Sequence, residues 1–264
     1  MNTGPALRTV NVTRYVTPLR EGGSLPALVE ADDGFKYVVK FRGNGHGPKA
    51  LIAELIGGEV ARSLGLRVPE LVFAELDAAF GRAEGDEEIQ ELLQKSTGLN
   101  LALHFLPGAI TYDPVVTAVE PTEASRIVWM DALLTNIDRT ARNTNMLIWR
   151  KELWLIDHGS CLYFHHTWDN WKRHSIGPFV NIKDHVLLPQ ATELAAADAF
   201  CKPLLTPALF RAIIDLIPDS WLMWEDAEGD PESLRAIYLE FLEARLAHSA
   251  AFTQEADHAR AARV

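Results

Sequence analysis

The stretch NMLIWRKELWLID (145–157) constrains this chain more than any other. Two β-rich apolar runs, 145–149 and 153–157, flank the polar turn Arg150-Lys151-Glu152, and that pattern reads as a hairpin. Pairing Trp149 with Leu153 sets Asn145 opposite Asp157, so Asn143 and Asp157 fall at one end of it. Asp138 lies five residues before Asn143 on the incoming loop and reaches the same end. An apolar hairpin is thereby framed by two aspartates and two asparagines.

Strands dominate what lies far upstream, and helices dominate the rest. LPALVEADDGFKYVVKF (25–41) holds two strand-like runs joined by the turn formers Ala31-Asp32-Asp33-Gly34. KALIAELIGGEVARSLG (49–65) carries Leu51, Leu55, Ile56, Val60 and Leu64 near helical spacing and stops at Gly65, with Pro69 beyond. LVFAEL (71–76) and LNLALHFL (99–106) are further strands, separated by an acidic loop with room for one short helix, and Pro107-Gly108 ends the second. Helices are expected over 121–136, with Thr122 as N-cap, over 206–217, and over 230–252, with Asp230 as cap. The expected fold class is α+β, with a strand-rich N-terminal lobe holding one main helix (1–106) and a larger, mainly helical C-terminal lobe (107–264).

Composition narrows the function classes. A chain of 264 residues that is 48% hydrophobic can bury a sizeable core. The formal charge of −11 argues against a general grip on nucleic acid, because phosphate binding needs a Lys/Arg surface. Cys161 and Cys201 are too few for a disulfide framework. No run of eighteen apolar residues and no signal-peptide layout is present, so the expectation is a cytoplasmic protein without a membrane span. DHGSCLYFHHTWDNWKRH (157–174) invites a zinc reading, but it lacks HExxH, and the adjacent His165 and His166 would face opposite ways in a regular strand. Trp168 and Trp171 in the same stretch read either as cover for an acceptor groove or as core.

An aspartate, an asparagine five residues on, and a second aspartate behind a hairpin is the spacing of a phosphotransfer site. Asp157 and the Asn143 side-chain oxygen are hard ligands suited to Mg²⁺, and Asp138 would orient or deprotonate an accepting hydroxyl. Asn145 competes with Asn143, which has the matching spacing. In YVVKF, alternation puts Tyr37, Val39 and Phe41 on one face and Lys40 on the other, where a lysine would meet the phosphates of ATP. Glu54 is the expected carboxylate partner of Lys40, with Glu59 as the substitute. Gly22, Gly23 and Ser24, just ahead of the first strand, would let backbone N–H groups approach phosphates, and His104, Phe105 and Leu106 stand where adenine would be met between the lobes. Taken singly, each of these residues also reads as an ordinary turn, cap or core position.

Over residues 15–160 the ordered set GGSLPALVEADDGFKYVVKF, AELIGGEVARSLGLRVPE, NIDRTARNTNMLIW and LWLIDHG resembles the HipA-like kinases, in particular their compact stand-alone members. The resemblance implies a bilobal protein-kinase-like fold that uses ATP and Mg²⁺, of which a toxin-type serine kinase is the best-known member. It implies Asp138 as catalytic aspartate, Asn143 and Asp157 as magnesium ligands, Lys40 as phosphate lysine and Glu54 as its partner. DRT (138–140) stands where familiar members have DRH. The implied activity is phosphorylation of a protein or of the chain itself. A nucleotide-binding module without transfer is the alternative, as is transfer of phosphate or AMP to another acceptor, such as a small molecule or lipid head group, from the same site.

Overall fold

Alternation of small β-branched residues builds the first layer. In the computed structural model, which describes residues 5–19, 25–45, 47–80, 85–168, 170–224 and 229–262, five strands close into a barrel. They are β1 (Thr9–Pro18), β2 (Ala27–Ala31), β3 (Lys36–Lys40), β4 (Leu71–Leu76) and β5 (Gly98–His104), in the order β1-β2-β3-β5-β4. All neighbours are antiparallel except β1 and β4, whose parallel pairing closes the barrel. Val10, Val12, Val29, Tyr37, Val39, Val72 and Ala102 fill the interior. Burying each valine contributes roughly 1.5–3 kcal/mol. Strand β1 was not anticipated from the sequence, although its Val10 and Val12 carry the alternation.

α1 (Gly47–Ser63) connects β3 to β4, and every residue from Leu51 to Ala61 is buried. A helix covered on all sides must be packed on all sides. Gly58 permits this on the sheet side, since a Cβ there would lie 2.6 Å from Leu71 Cδ1. The acidic stretch, expected as an exposed loop with room for one short helix, does contain a helix, α2 (Glu87–Lys95), capped by the Asp86 carboxylate, which accepts from the N–H groups of Glu88 and Ile89. Its Ile89, Leu92 and Leu93 join the barrel core rather than standing exposed.

The second half is helical around α3 (Pro121–Leu133), buried between α5 (Leu194–Cys201), α7 (Pro231–Ala247) and α8 (Ser249–Ala261). Thr122 is not its cap: Glu120 holds that position, Pro121 opens the helix, and the Thr122 hydroxyl donates to Glu193 instead. Asp230 caps α7 as expected, and Thr206 caps α6 (Pro207–Ile214). The expected helix over 230–252 is interrupted at His248, where α8 begins. A short helix, α4 (Trp171–Ile176), follows the DHG segment. No helix among the described residues is long and apolar enough to cross a membrane.

Strands β6 (Ile110–Thr111), β7 (Met146–Trp149) and β8 (Glu152–Leu155) form a small separate sheet. The β7–β8 hairpin is one residue tighter than the sequence reading: Trp149 pairs with Glu152 and Ile148 with Leu153. Arg150 and Lys151 both take positive φ, +52° and +69°, the two-residue type I′ turn whose twist matches the strands. Asn145 therefore faces Ile156, whose N–H donates to its carbonyl at 3.0 Å, and Asp157 lies just past the ladder.

The two halves are clamped together at several points. Leu155 N–H donates to the Arg67 carbonyl (2.8 Å), and the Arg67 guanidinium reaches Glu152 at 3.0 Å and Glu123 at 3.3 Å. From the helical half, Trp221 inserts against the outer face of the barrel, edge-on to Phe73 and with its indole N–H donating to the Leu99 carbonyl at 3.0 Å. Trp221 is fully buried. Trp221→Ala is expected to destabilise the protein by about 3–5 kcal/mol in denaturant titration, and Trp221→Phe, which keeps most of the packing and removes the indole donor, by about 1–3 kcal/mol. A loss below about 1 kcal/mol for the alanine variant would show that this contact does not join the halves.

Candidate active site

Lys40 sits on the barrel face opposite Tyr37 and Val39, as strand alternation requires, and is largely buried between the two halves. Its ammonium donates to Glu54 Oε2 on α1 and to Asp157 Oδ1 beyond the hairpin, each at 2.5 Å. A buried lysine needs such partners, because a lone charge removed from water is costly. Burial works against the ammonium, but the charges of Asp157 and Glu54 outweigh it and hold its pKa above the ordinary lysine range. Burial likewise pushes Glu54 upward, and the charge of Lys40 together with His158 overcomes this and brings it down to about 2. Glu59 points elsewhere, 3.5 Å from Arg62 on its own helix.

Asp138 lies at the same end of the hairpin. Its Oδ2 accepts from Asn143 Nδ2 at 2.8 Å and from Asn145 Nδ2 at 3.1 Å, so both asparagines converge on one carboxylate oxygen. Asn145 also ties that carboxylate to the hairpin, through its carbonyl bond with Ile156, the residue before Asp157. Both Asn145 and Asp157 have positive φ, +48° and +56°, so the backbone turns sharply where each strand ends. From there the Asp157 side chain reaches Lys40 of the barrel half, and that of Asn145 reaches Asp138.

Beneath the loop lies a buried polar network that sequence reasoning missed. The carboxylate of Asp131, on α3, accepts from Arg139 Nε (2.6 Å) and Asn136 Nδ2 (2.9 Å) and meets His185 Nε2 at 2.9 Å. Leu187 N–H donates to His185 Nδ1, so the ring is neutral and presents its Nε2–H to Asp131. Arg139 donates onward to the carbonyls of Asn145 and Ile156, one on each side of the hairpin. Asn136 Oδ1 accepts the Asp138 N–H at 3.0 Å. Burial disfavours the Asp131 carboxylate, but Arg139, His185 and Asn136 keep its pKa well below the usual range. One signal was available: a lone charge inside the apolar run IVWMDALL marks a position needing a partner. Nothing in the sequence points to His185, 54 residues away.

Other expected positions divide. Gly22, Gly23 and Ser24 lie outside the described residues. His104 ends β5 and Phe105 follows it, their N–H groups already bonded to the carbonyls of Glu70 (2.8 Å) and Lys36 (2.9 Å), while Leu106 is buried. The His104 ring packs edge-on against Phe35 and Tyr37. His165 is buried with Nδ1 on the Tyr238 hydroxyl, and no group of three or more His, Cys, Asp or Glu suited to a metal occurs among the described residues. Trp168 stacks on Trp224, and the Lys49 ammonium lies over both rings. Trp171 packs near Phe164.

The fold has known counterparts. The structure of the Helicobacter pylori proinflammatory kinase CtkA superposes with a TM-score of 0.56 at 18% identity, covering 97% of this chain and 99% of that one. A structure of the Golgi casein kinase gives 0.51 at 14% identity, covering 100% of this chain and 76% of that one. Comparison with curated proteins finds no match. The bilobal arrangement is thus that of a kinase fold. The family model for HipA-like kinases matches residues 12–252, from the barrel through α7 and into α8, and on that match this chain belongs to the HipA-like kinase family.

Proposed function

We propose that the protein is a phosphotransferase that uses ATP and Mg²⁺, with residues 1–106 as its nucleotide-binding lobe and residues 107–264 carrying the catalytic loop. The observation that carries this reading is the double grip on Lys40, by Glu54 from one half and Asp157 from the other, beside the end of the hairpin where Asp138 meets Asn143 and Asn145.

The donor set fits a hard divalent cation. Asp157 keeps 44% of its side chain accessible. Asn143 turns its amide nitrogen to Asp138, which leaves its oxygen available to a metal. Two protein oxygens are few for Mg²⁺, which usually completes its shell with phosphate oxygens and water. Asp157 and Asn143 would hold the ion, which when bound neutralises charge on the phosphates. Lys40 would exchange its bond to Asp157 for one to the phosphates while Glu54 keeps it in place. Asp138 would orient the acceptor hydroxyl and take its proton, with the two asparagines fixing the carboxylate. Adenine recognition between the lobes would fall to Leu106, because the N–H groups of His104 and Phe105 are already engaged. Membership of the HipA-like family supports a protein hydroxyl as acceptor, on another chain or on this one.

Two measurements test this. Millimolar Mg²⁺ with ATP is expected to raise the melting temperature, since saturation to 100 times the dissociation constant adds about 2.7 kcal/mol to folded-state stability; no shift with ATP or its analogues would overturn the reading. With γ-labelled ATP, Asp138→Ala should lose transfer by roughly 10²–10⁴-fold while binding nucleotide nearly as before, whereas Asp157→Ala should weaken nucleotide binding as well. Equal loss of binding in both variants would contradict the assigned roles.

A further inference from the structure

His158 follows Asp157 directly, is fully buried, and neither ring nitrogen has a hydrogen-bond partner among the described residues. Glu54 Oε1 is a third buried atom in the same condition. The two residues face each other, with His158 Nδ1 3.7 Å from that oxygen. Gly57, one turn along α1 from Glu54, makes room for the ring: a Cβ at this position would lie 2.6 Å from His158 Cβ. Buried polar atoms without partners are rare, and three in one place call for a reason.

The reason lies in how Lys40 is shared. Its ammonium divides between Glu54 Oε2 and Asp157 Oδ1, and in phosphotransfer both Lys40 and Asp157 turn toward the nucleotide and its metal. Glu54 then faces a fully buried position with a lysine partly drawn away and one oxygen unpartnered. An imidazole with its proton on Nδ1 supplies the missing donor after closing a gap of under 1 Å, which brings 3.7 Å within hydrogen-bond range.

We infer that His158 is a positioning residue for the phosphate lysine: its Nδ1–H donates to Glu54 Oε1, and this bond holds Glu54 on Lys40 while Asp157 engages the metal. Because His158 and Asp157 are consecutive, metal binding at one residue is coupled to the carboxylate that the other supports. This inference rests on the phosphotransfer reading, and on the geometry of the Glu54–His158 pair.

The test compares His158→Phe, which keeps a flat ring and removes the donor, with His158→Asn, whose amide nitrogen stands near the place of Nδ1. In steady-state ATP turnover, the phenylalanine variant should lose roughly 10–100-fold in kcat, the range for lost support of a ligand or reacting group, with a smaller change in KM for ATP. The asparagine variant should recover most of that loss. In a Glu54→Gln background the phenylalanine change should have little further effect, since residues acting through one contact are not additive. Equal losses for Phe and Asn, full activity of the Phe variant, or additive losses with Glu54→Gln would each overturn the proposal. A wild-type chain without turnover would instead refute the phosphotransfer reading. Nitrogen-15 spectra of histidine-labelled wild-type protein, with His158 assigned from the asparagine variant, decide the contact without any turnover. An Nδ1–H tautomer that disappears in Glu54→Gln supports it, and an Nε2–H tautomer overturns it.

Discussion

A lysine taken out of water organises this molecule. Lys40 is held by two carboxylates that come from opposite halves, Glu54 from the helix behind the barrel and Asp157 from the end of the β7–β8 hairpin. Removing Lys40 would leave the fully buried Glu54 carboxylate without its counter-charge, at a cost of about 3–5 kcal/mol. The position of α1, the seat of the hairpin and the closure of the two halves are therefore linked through one ammonium. Around it the fold leaves little freedom. α1 is buried on every side, and Trp221 from the helical half is seated on the barrel beside it. A pair that in a looser fold would form and break with helix motion is here built into the core.

A second constraint acts below the first. Asp131, Arg139 and His185 are buried together, and their charges balance: one carboxylate, one guanidinium and a neutral imidazole. Arg139 reaches the carbonyls at both strands of the hairpin, so the loop bearing Asp138 and the segment bearing Asp157 rest on one cation. The oxygen-rich end of the hairpin is thus set by groups that never face the junction between the halves.

The sequence carried much of this, unevenly. The β2–β3 hairpin, β4, β5 and α1 stood out because their periodicities are clean and their turn residues unambiguous, and Lys40 was conspicuous as a charge inside YVVKF. Strand β1 was overlooked because only Val10 and Val12 face inward, and its remaining residues are largely exposed. The hairpin register slipped by one because the type I′ turn is formed by Arg150-Lys151, which lacks the Asn-Gly chemistry that announces it. Thr122 has the residue type of a cap, but its hydroxyl is used by Glu193, 71 residues away. The break at His248 has no Gly or Pro to mark it. His185 was beyond reach for a different reason: a contact across 54 residues depends on the tertiary path of the chain, and local pattern holds no record of it.

At 18% and 14% identity, the likeness to CtkA and the Golgi casein kinase rests on the path of the backbone. The chemistry must come from this chain's own residues, and the central claim is that Lys40 changes partners. A structure of the full chain with Mg²⁺ and a non-hydrolysable ATP analogue tests it directly. The metal should be held by oxygens of Asp157 and Asn143, with Lys40 moved from Asp157 onto the phosphates and still bonded to Glu54. A nucleotide bound away from this junction, or a Lys40 that stays on Asp157 while the metal sits on neither residue, would contradict it.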